Sequence, residues 1–206
     1  MSAELTTISL LGGRLAIDFA NLPSLPASPA ASGLSWEDLI GFLRETKIVS
    51  SDRAAELLNL TEADPHSAFE LLNRAESLRD ALRTACLALT QKHPIARDNV
   101  QAINAILRIT EGHDELIEST RGWRLEYVAR ESGLDWLLAA VARSAAEIIV
   151  EGEASRIRLC ANPGCSLFFY DSSRTHKRRW CSMSLCGNRH KVAAFARRHN
   201  SHKQTS

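Results

Sequence analysis

Four cysteines lie within 27 residues near the end of the chain, in two pairs with the same internal spacing. Cys160 and Cys165 are separated by four residues, and so are Cys181 and Cys186. Each pair can present two sulfurs from one turn, and the segment between the pairs can bring the four sulfurs together. Four thiolates are typical ligands of structural Zn²⁺, which binds sulfur at ~2.3 Å in tetrahedral geometry. The spacing therefore predicts one structural zinc ion with a closed coordination sphere.

Two other states of these cysteines remain open from the sequence, namely two disulfides and four free thiols. Disulfides are disfavoured because the N-terminus lacks the basic flank and apolar stretch of a signal peptide. A cytoplasmic location is therefore expected, and thiols stay reduced there. Free thiols would leave the paired spacing unexplained. Redox catalysis is not expected, because the chain has no Cys-x-x-Cys motif beside a βαβ pattern.

The formal net charge of +1 conceals an uneven distribution of charge along the chain. Residues 151–206 contain 11 Lys and Arg against 3 Asp and Glu, whereas residues 1–150 contain 14 against 21. This asymmetry indicates a basic interaction module joined to an acidic domain. We therefore predict a first domain over 1–152, a zinc module over 153–200 and a polar tail over 201–206.

The basic residues of the zinc module are candidates for contact with DNA phosphates, which attract Lys and Arg regardless of base sequence. The alternative is a basic face that neutralises thiolate charge or docks onto the acidic first domain. The residues predicted to contact nucleic acid are Arg174, Lys177, Arg178, Arg179, Lys191, Arg197 and Arg198.

Apolar residues of the first 150 positions recur mainly at helical spacing, and alternating residues predict one β-hairpin over 115–128. The predicted fold class is mainly α with a small β-hairpin (α+β), followed by a small treble-clef-like or ribbon-type zinc module. Trp36, Trp123, Tyr127 and Trp136 are expected to pack in the core. Predicted helices cover 14–21, 36–46, 51–60, 65–91, 96–108 and 134–150.

The cysteine region resembles the CGNR zinc-finger family over about 157–199. The resemblance rests on Cys160-Ala-Asn-Pro-Gly-Cys165 and on the tetrapeptide Cys186-Gly187-Asn188-Arg189, for which the family is named. In that family the four cysteines are taken as zinc ligands, and all four are present here.

The segment Gly12-Gly-Arg-Leu-Ala-Ile-Asp18-Phe-Ala-Asn21 resembles the opening motif of the ABATE domain, which usually precedes this finger. The chain departs from the motif at Leu22, where the family often has Thr. Members with both parts are regarded as stress-related transcriptional regulators, so the resemblance implies a DNA-binding regulator.

A helix over about 184–199 would place Leu185, Val192 and Ala196 on one inward face with Arg189 among them. Arg189 is therefore expected to be structural and to pair with Asp171 or with backbone carbonyls. Asp171, Asn188 and Arg189 are the predicted supporting residues around the zinc ligands.

Asp18 and Asn21 lie one helical turn apart in the first domain. They are candidates for a ligand pocket, although the same spacing suits a local hydrogen-bond network that holds the opening segment. We find no glycine-rich phosphate loop, nucleophile motif or paired-carboxylate site, so an enzyme is not expected.

The sequence thus favours a transcriptional regulator whose zinc module binds DNA and whose first domain senses a small-molecule effector or a partner. The alternative is a zinc-stapled protein–protein interaction module without direct DNA binding. No membrane association is expected, because the chain has no apolar run of ~18 residues. A homodimer is left open.

Overall fold

The computed structural model describes residues 8–22, 33–109, 112–119, 122–129, 134–151 and 153–193. The described helices are α1 (Leu15–Ala20), α2 (Trp36–Glu45), α3 (Ser51–Leu58), α4 (Leu60–Ala63), α5 (Pro65–Thr90), α6 (Arg97–Ile109) and α7 (Ala139–Val150). None of them is both long and apolar enough to cross a membrane.

Two small antiparallel sheets complete the described structure. Strands β1 (Gly112–Ser119) and β2 (Gly122–Ala129) form the predicted hairpin, in which Leu116 lies opposite Leu125. Strands β3 (Ile157–Leu159) and β4 (Phe168–Tyr170) pair in the zinc module. The prediction of a mainly α fold with a small hairpin is confirmed.

Side-chain caps fix where several helices begin. The hydroxyls of Ser35 and Ser50 accept hydrogen bonds from the first turns of α2 and α3, and the Asp64 carboxylate does the same for α5. Pro65 occupies the first turn of α5, where its missing N–H has no cost. Such caps each contribute about 1 kcal/mol, and they lie in the sequence where the helices were predicted to start.

Two helix predictions differ from the structure. The single helix predicted over 51–60 ends at Leu58, and the Asn59 carbonyl then accepts the first hydrogen bonds of α4. The helix predicted over 134–150 begins with the 3-10 turn Asp135–Leu138 before α7.

The largest hydrophobic core joins the two parts of the chain that the charge distribution separates. Helix α1 lies in it almost completely buried, and the Phe19 ring contacts the Phe42 ring of α2 edge-on at 5.2 Å between centroids. The same core contains Ile157, Phe168 and Tyr170 from β3 and β4. The zinc module therefore shares a core with the first domain.

The four aromatic residues expected in the core have different environments. Trp36 is buried and donates its indole N–H to the Leu57 carbonyl at 2.9 Å, and Trp136 packs partly buried against the core. The expectation is wrong for Trp123, which is 69% exposed because the hairpin presents it to solvent. The side chain of Tyr127 lies outside the described residues.

Candidate metal centre

The first cysteine pair is held by a tight turn at the end of the β3–β4 sheet. Cys165 donates its backbone N–H to the Asn162 carbonyl at 2.9 Å, and Gly164 donates to the Asn162 side chain at 3.2 Å. Cys160 donates its N–H to the Leu167 carbonyl at 3.0 Å, which extends the β3–β4 pairing. The turn therefore places both cysteines at one end of the β3–β4 sheet, whose strand pairing fixes the position of the turn.

The second cysteine pair is held by the π-helical turn Met183–Gly187. The Ser182 hydroxyl accepts a hydrogen bond from the Leu185 N–H at 3.4 Å, and the Ser182 carbonyl accepts from the Cys186 N–H at 3.0 Å. A Cβ at Gly187 would lie 2.5 Å from the Met183 sulfur and 3.3 Å from the Trp180 ring. The absence of a side chain at Gly187 therefore lets this turn close.

The four sulfurs are arranged as a tetrahedral metal requires. All four Sγ atoms lie within 4.8 Å of one another, with 3.8 Å between Cys165 and Cys181 and 3.6 Å between Cys181 and Cys186. A tetrahedron with Zn–S bonds of ~2.3 Å has edges of ~3.8 Å. These separations are far longer than the ~2.05 Å of a disulfide bond. The four cysteines thus form a zinc-binding site, and the disulfide alternative does not fit.

Burial disfavours the thiolate form of two of these cysteines when no cation is bound. Removal from water raises the pKa of the Cys165 thiol to about 11, and the nearby Cys160 sulfur adds to the rise. Burial also raises the pKa of Cys181. Several buried thiolates repel one another unless a positive ion lies between them, so a divalent cation supplies the charge that the cluster lacks.

A buried carboxylate organises the loop between the two cysteine pairs. Asp171 accepts hydrogen bonds from the N–H and the hydroxyl of Ser173 and from the Arg178 N–H. Burial alone would raise the pKa of Asp171, but these hydrogen bonds hold it below the usual range. The expected pairing of Asp171 with Arg189 is therefore wrong, because Ser173 and Arg178 fill that role.

Arg178 is a structural residue of the same loop. Its guanidinium donates to the Trp180 carbonyl at 2.9 Å and to the Cys181 carbonyl, and it lies 4.6 Å from the centroid of the Phe169 ring. These contacts use part of the donor set of the guanidinium. Arg178 thus clamps the backbone beside the third zinc ligand, and its contact with nucleic acid stays a prediction.

Asp18 and Asn21 also have protein partners rather than an open pocket. The Asp18 carboxylate accepts the Gly12 N–H at 2.6 Å, and burial raises its pKa to about 6 although the Gly12 and Gly13 amides act to lower it. The Asn21 side chain bonds to both backbone groups of Phe168. The ligand-pocket prediction is therefore corrected, because these polar groups hold the opening segment and the zinc module.

Two protein-family models match separate parts of the chain. Residues 156–199 match the model of the CGNR zinc finger. Residues 13–152 match the ABATE model, described as "Putative stress-induced transcription regulator". The chain belongs to the ABATE family. No curated protein matches it.

Four predicted cations of the CGNR finger are exposed, namely Arg174, Lys177, Arg179 and Lys191. Among the residues that the structure describes, none of these four takes part in an ion pair. The Arg179 guanidinium lies 5.1 Å from the centroid of the Trp180 ring. The finger thus presents cations to solvent that have no carboxylate partner among the described residues. The last two candidates, Arg197 and Arg198, lie outside the described residues.

The helical segment 183–193, which contains the last cysteine, is rotated about its axis relative to the prediction. Leu185 is 47% exposed and Val192 68% exposed, and Asn188 and Arg189 are exposed beside them. Cys186 must direct its sulfur at the metal site, so the inward face is centred on that residue and not on Leu185. The predicted inward position of Arg189 is therefore wrong, whereas the supporting role of Asn188 stays a prediction. Ala196 lies outside the described residues.

The rotated segment leaves an apolar face in solvent. Together with Leu185 and Val192, the face includes Ala193 and the exposed Arg189. On the other side of the segment, His190 stacks on the Trp180 ring at 4.7 Å between centroids. Sequence periodicity missed this arrangement, although the requirement that Cys186 face the metal was a usable signal.

Proposed function

We propose that this protein is a transcriptional regulator that binds DNA through the exposed cations of its zinc finger. The carrying observation is that Arg174, Lys177, Arg179 and Lys191 of the finger are exposed and form no ion pair among the described residues. Lys and Arg that displace counterions from phosphates provide most of the sequence-independent affinity for DNA. The finger would supply the rigid support that keeps these charges on one module.

The test is the salt dependence of binding to random duplex DNA. Replacement of Lys177, Arg179 and Lys191 together by Gln should flatten the plot of log affinity against log salt by about 0.9 for each phosphate that these cations neutralise. The matched control replaces three exposed cations of the ABATE domain, Lys47→Gln, Lys92→Gln and Arg97→Gln, and should keep the original slope. Equal slopes in all three proteins would contradict the proposal.

For the ABATE domain we propose a sensing role toward an effector or a partner, and we assign it no catalytic role. Support comes from its family description, which concerns stress-induced regulation. The test is to compare DNA affinity of the whole chain with and without candidate effectors. An effector that stabilises the ABATE domain yet leaves DNA affinity unchanged would count against coupling between sensing and binding.

A second candidate function is protein docking by the finger without DNA. The exposed apolar face formed by Leu185 and Val192 favours it, because such faces on small modules often contact proteins. This alternative predicts that DNA affinity is weak and unaffected by the Gln substitutions. The slope experiment therefore separates the two candidates.

A further inference from the structure

We infer that zinc binding at the finger stabilises the ABATE domain as well, through the strand β4 that the two parts share. The contact is made by Gly12 and Asn21 on the ABATE side and by Phe168 and Tyr170 on the finger side. We call these four residues the joint. The inference concerns stability and does not depend on DNA binding.

The backbone of β4 is hydrogen-bonded on both of its edges. One edge pairs with β3, and the other edge is completed by ABATE residues. Tyr170 donates its N–H to the Gly12 carbonyl at 2.7 Å. The Asn21 amide donates to the Phe168 carbonyl at 2.8 Å and accepts from the Phe168 N–H at 2.9 Å, so one side chain replaces a neighbouring strand. If β4 left this position, buried polar groups of both parts would lose their partners.

The side chains of β4 divide between two cores. Phe168 and Tyr170 belong to the ABATE core, whereas Phe169, between them, packs with the cysteines. In the reverse direction, Leu11 of the opening segment packs against the cysteine cluster. A strand of three residues has too little surface to be stable alone, so its position depends on both cores at once.

Cations from both parts surround the rings of the joint. The guanidinium groups of Arg14 and Arg156 lie 4.8 and 5.7 Å from the centroid of the Tyr170 ring. Arg83 lies 5.8 Å from the Phe168 ring and donates to the Ala20 carbonyl at the end of α1 at 2.9 Å. Cation–ring contacts of this kind stabilise when they are partly buried. Removal of the two rings would therefore also disturb the end of α1.

The buried cluster at the cysteines contains few other apolar side chains, so the fold of the finger depends on the metal. Without zinc the position of β4 is no longer fixed from the finger side, and Phe168 and Tyr170 are no longer held in the ABATE core. Linkage requires the reverse effect as well, namely that damage to the joint from the ABATE side weakens zinc binding. The stability of the ABATE domain would thus depend on whether the finger holds zinc.

The first experiment uses the unaltered full chain and native-state amide hydrogen exchange. Zinc-loaded protein is compared with protein stripped by EDTA, with metal content measured in both. We expect the amides of α1 to exchange at least ~10-fold faster after zinc removal. Helix α3, which is outside the joint, serves as an internal reference, and an equal acceleration in α3 would contradict transmission through the joint. Unchanged protection of α1 in zinc-free protein would overturn the inference.

The second experiment measures the reverse effect by competition with a chromophoric chelator. Asn21→Leu removes both hydrogen bonds to Phe168 and should weaken zinc binding by ~10-fold, within the usual range of coupling between sites. Leu57→Ala, a buried change in α3 outside the joint, should leave zinc affinity within about twofold. Leu11→Ala, which lies beside the joint and packs against the cysteine cluster, is a milder variant for use if Asn21→Leu does not fold, and it should weaken zinc binding by ~3-fold. Equal zinc affinity in joint and control variants would contradict the coupling.

Discussion

The ABATE domain and the CGNR finger reach a stable structure by different physical means. Helices of the ABATE domain bury side chains such as Phe42 and Leu39 completely, and the free energy comes from apolar area removed from water. The finger buries Leu167 and Phe169 with its cysteines and places Phe168 and Tyr170 in the shared core, but it leaves Met183 and Leu185 about half exposed. Its polar bonds and its metal replace the core that a short segment cannot build. The same substitution, such as Cys→Ser, should therefore remove the metal and unfold the finger in one part but only weaken apolar packing in the other.

The largest expected effect comes from removing one zinc ligand. Cys181→Ser should reduce the metal content from about one zinc per chain to none and unfold the finger, because structural zinc supplies on the order of 10 kcal/mol or more to such modules. Elemental analysis and NMR of the finger amides provide the measurement.

Cys86→Ser is the matched control for that substitution. Cys86 is buried in the ABATE core, and its replacement introduces the same chemical change away from the metal. It should retain the zinc while destabilising the helices. Full zinc content in Cys181→Ser, or zinc loss in Cys86→Ser, would break the contrast between a metal-held and an apolar-held part.

A smaller effect is expected for the arginine that clamps the finger backbone. Arg178→Gln removes hydrogen bonds to the Trp180 and Cys181 carbonyls and the contact with the Phe169 ring. Charge-assisted hydrogen bonds contribute about 1.5–3 kcal/mol each, so the loss of both should make unfolding of the zinc-loaded finger easier by about 3 kcal/mol or more. Urea unfolding followed by finger amides measures this change.

Arg174→Gln is the control for Arg178→Gln, because it removes the same charge from an exposed position of the same loop. Its effect on stability should stay within about 0.5 kcal/mol. DNA affinity should show the opposite order, because Arg174 is a proposed DNA contact: Arg174→Gln should weaken DNA binding more than Arg178→Gln does. Similar stability losses in both variants would show that charge, and not the backbone clamp, stabilises the loop.

The features that sequence predicted well are those that depend on neighbours in the chain. The caps at Ser35 and Asp64, the helical spacing and the hairpin alternation involve residues a few positions apart. The zinc site was predictable for the same reason, since each cysteine pair lies within one turn.

The features that sequence did not predict depend on distant partners or on helix phase. The bond between Asn21 and Phe168 joins residues 147 positions apart, so no local pattern reveals it. Arg178 counts as a cation in the sequence, but its partners are backbone carbonyls that every residue possesses. Leu185 is exposed because the neighbouring Cys186 must direct its sulfur at the metal site. The helical period alone does not determine which face of the helix points inward.

The smallest expected effect is a pH dependence at the carboxylate that holds the opening segment. The pKa of Asp18 in the folded chain is about 6, above the ordinary value of 3.8, mainly because of burial. The folded state therefore binds this proton more tightly than the unfolded state, and stability falls as pH rises from about 4 through 6. Between pH 5 and 7.5 this corresponds to about 1.4 kcal/mol, since one pKa unit equals ~1.36 kcal/mol.

Asp18→Asn isolates this contribution because the amide does not titrate and can still accept the Gly12 N–H. The unfolding free energy of the unaltered chain should fall relative to that of Asp18→Asn as pH rises from 5 to 7.5, and a carboxyl ¹³C titration should place the Asp18 midpoint near 6. A constant difference between the two proteins would show that Asp18 ionises without loss of stability. The joint would then be held by Asn21 and the shared rings, with no pH-dependent contribution from the turn that Asp18 closes.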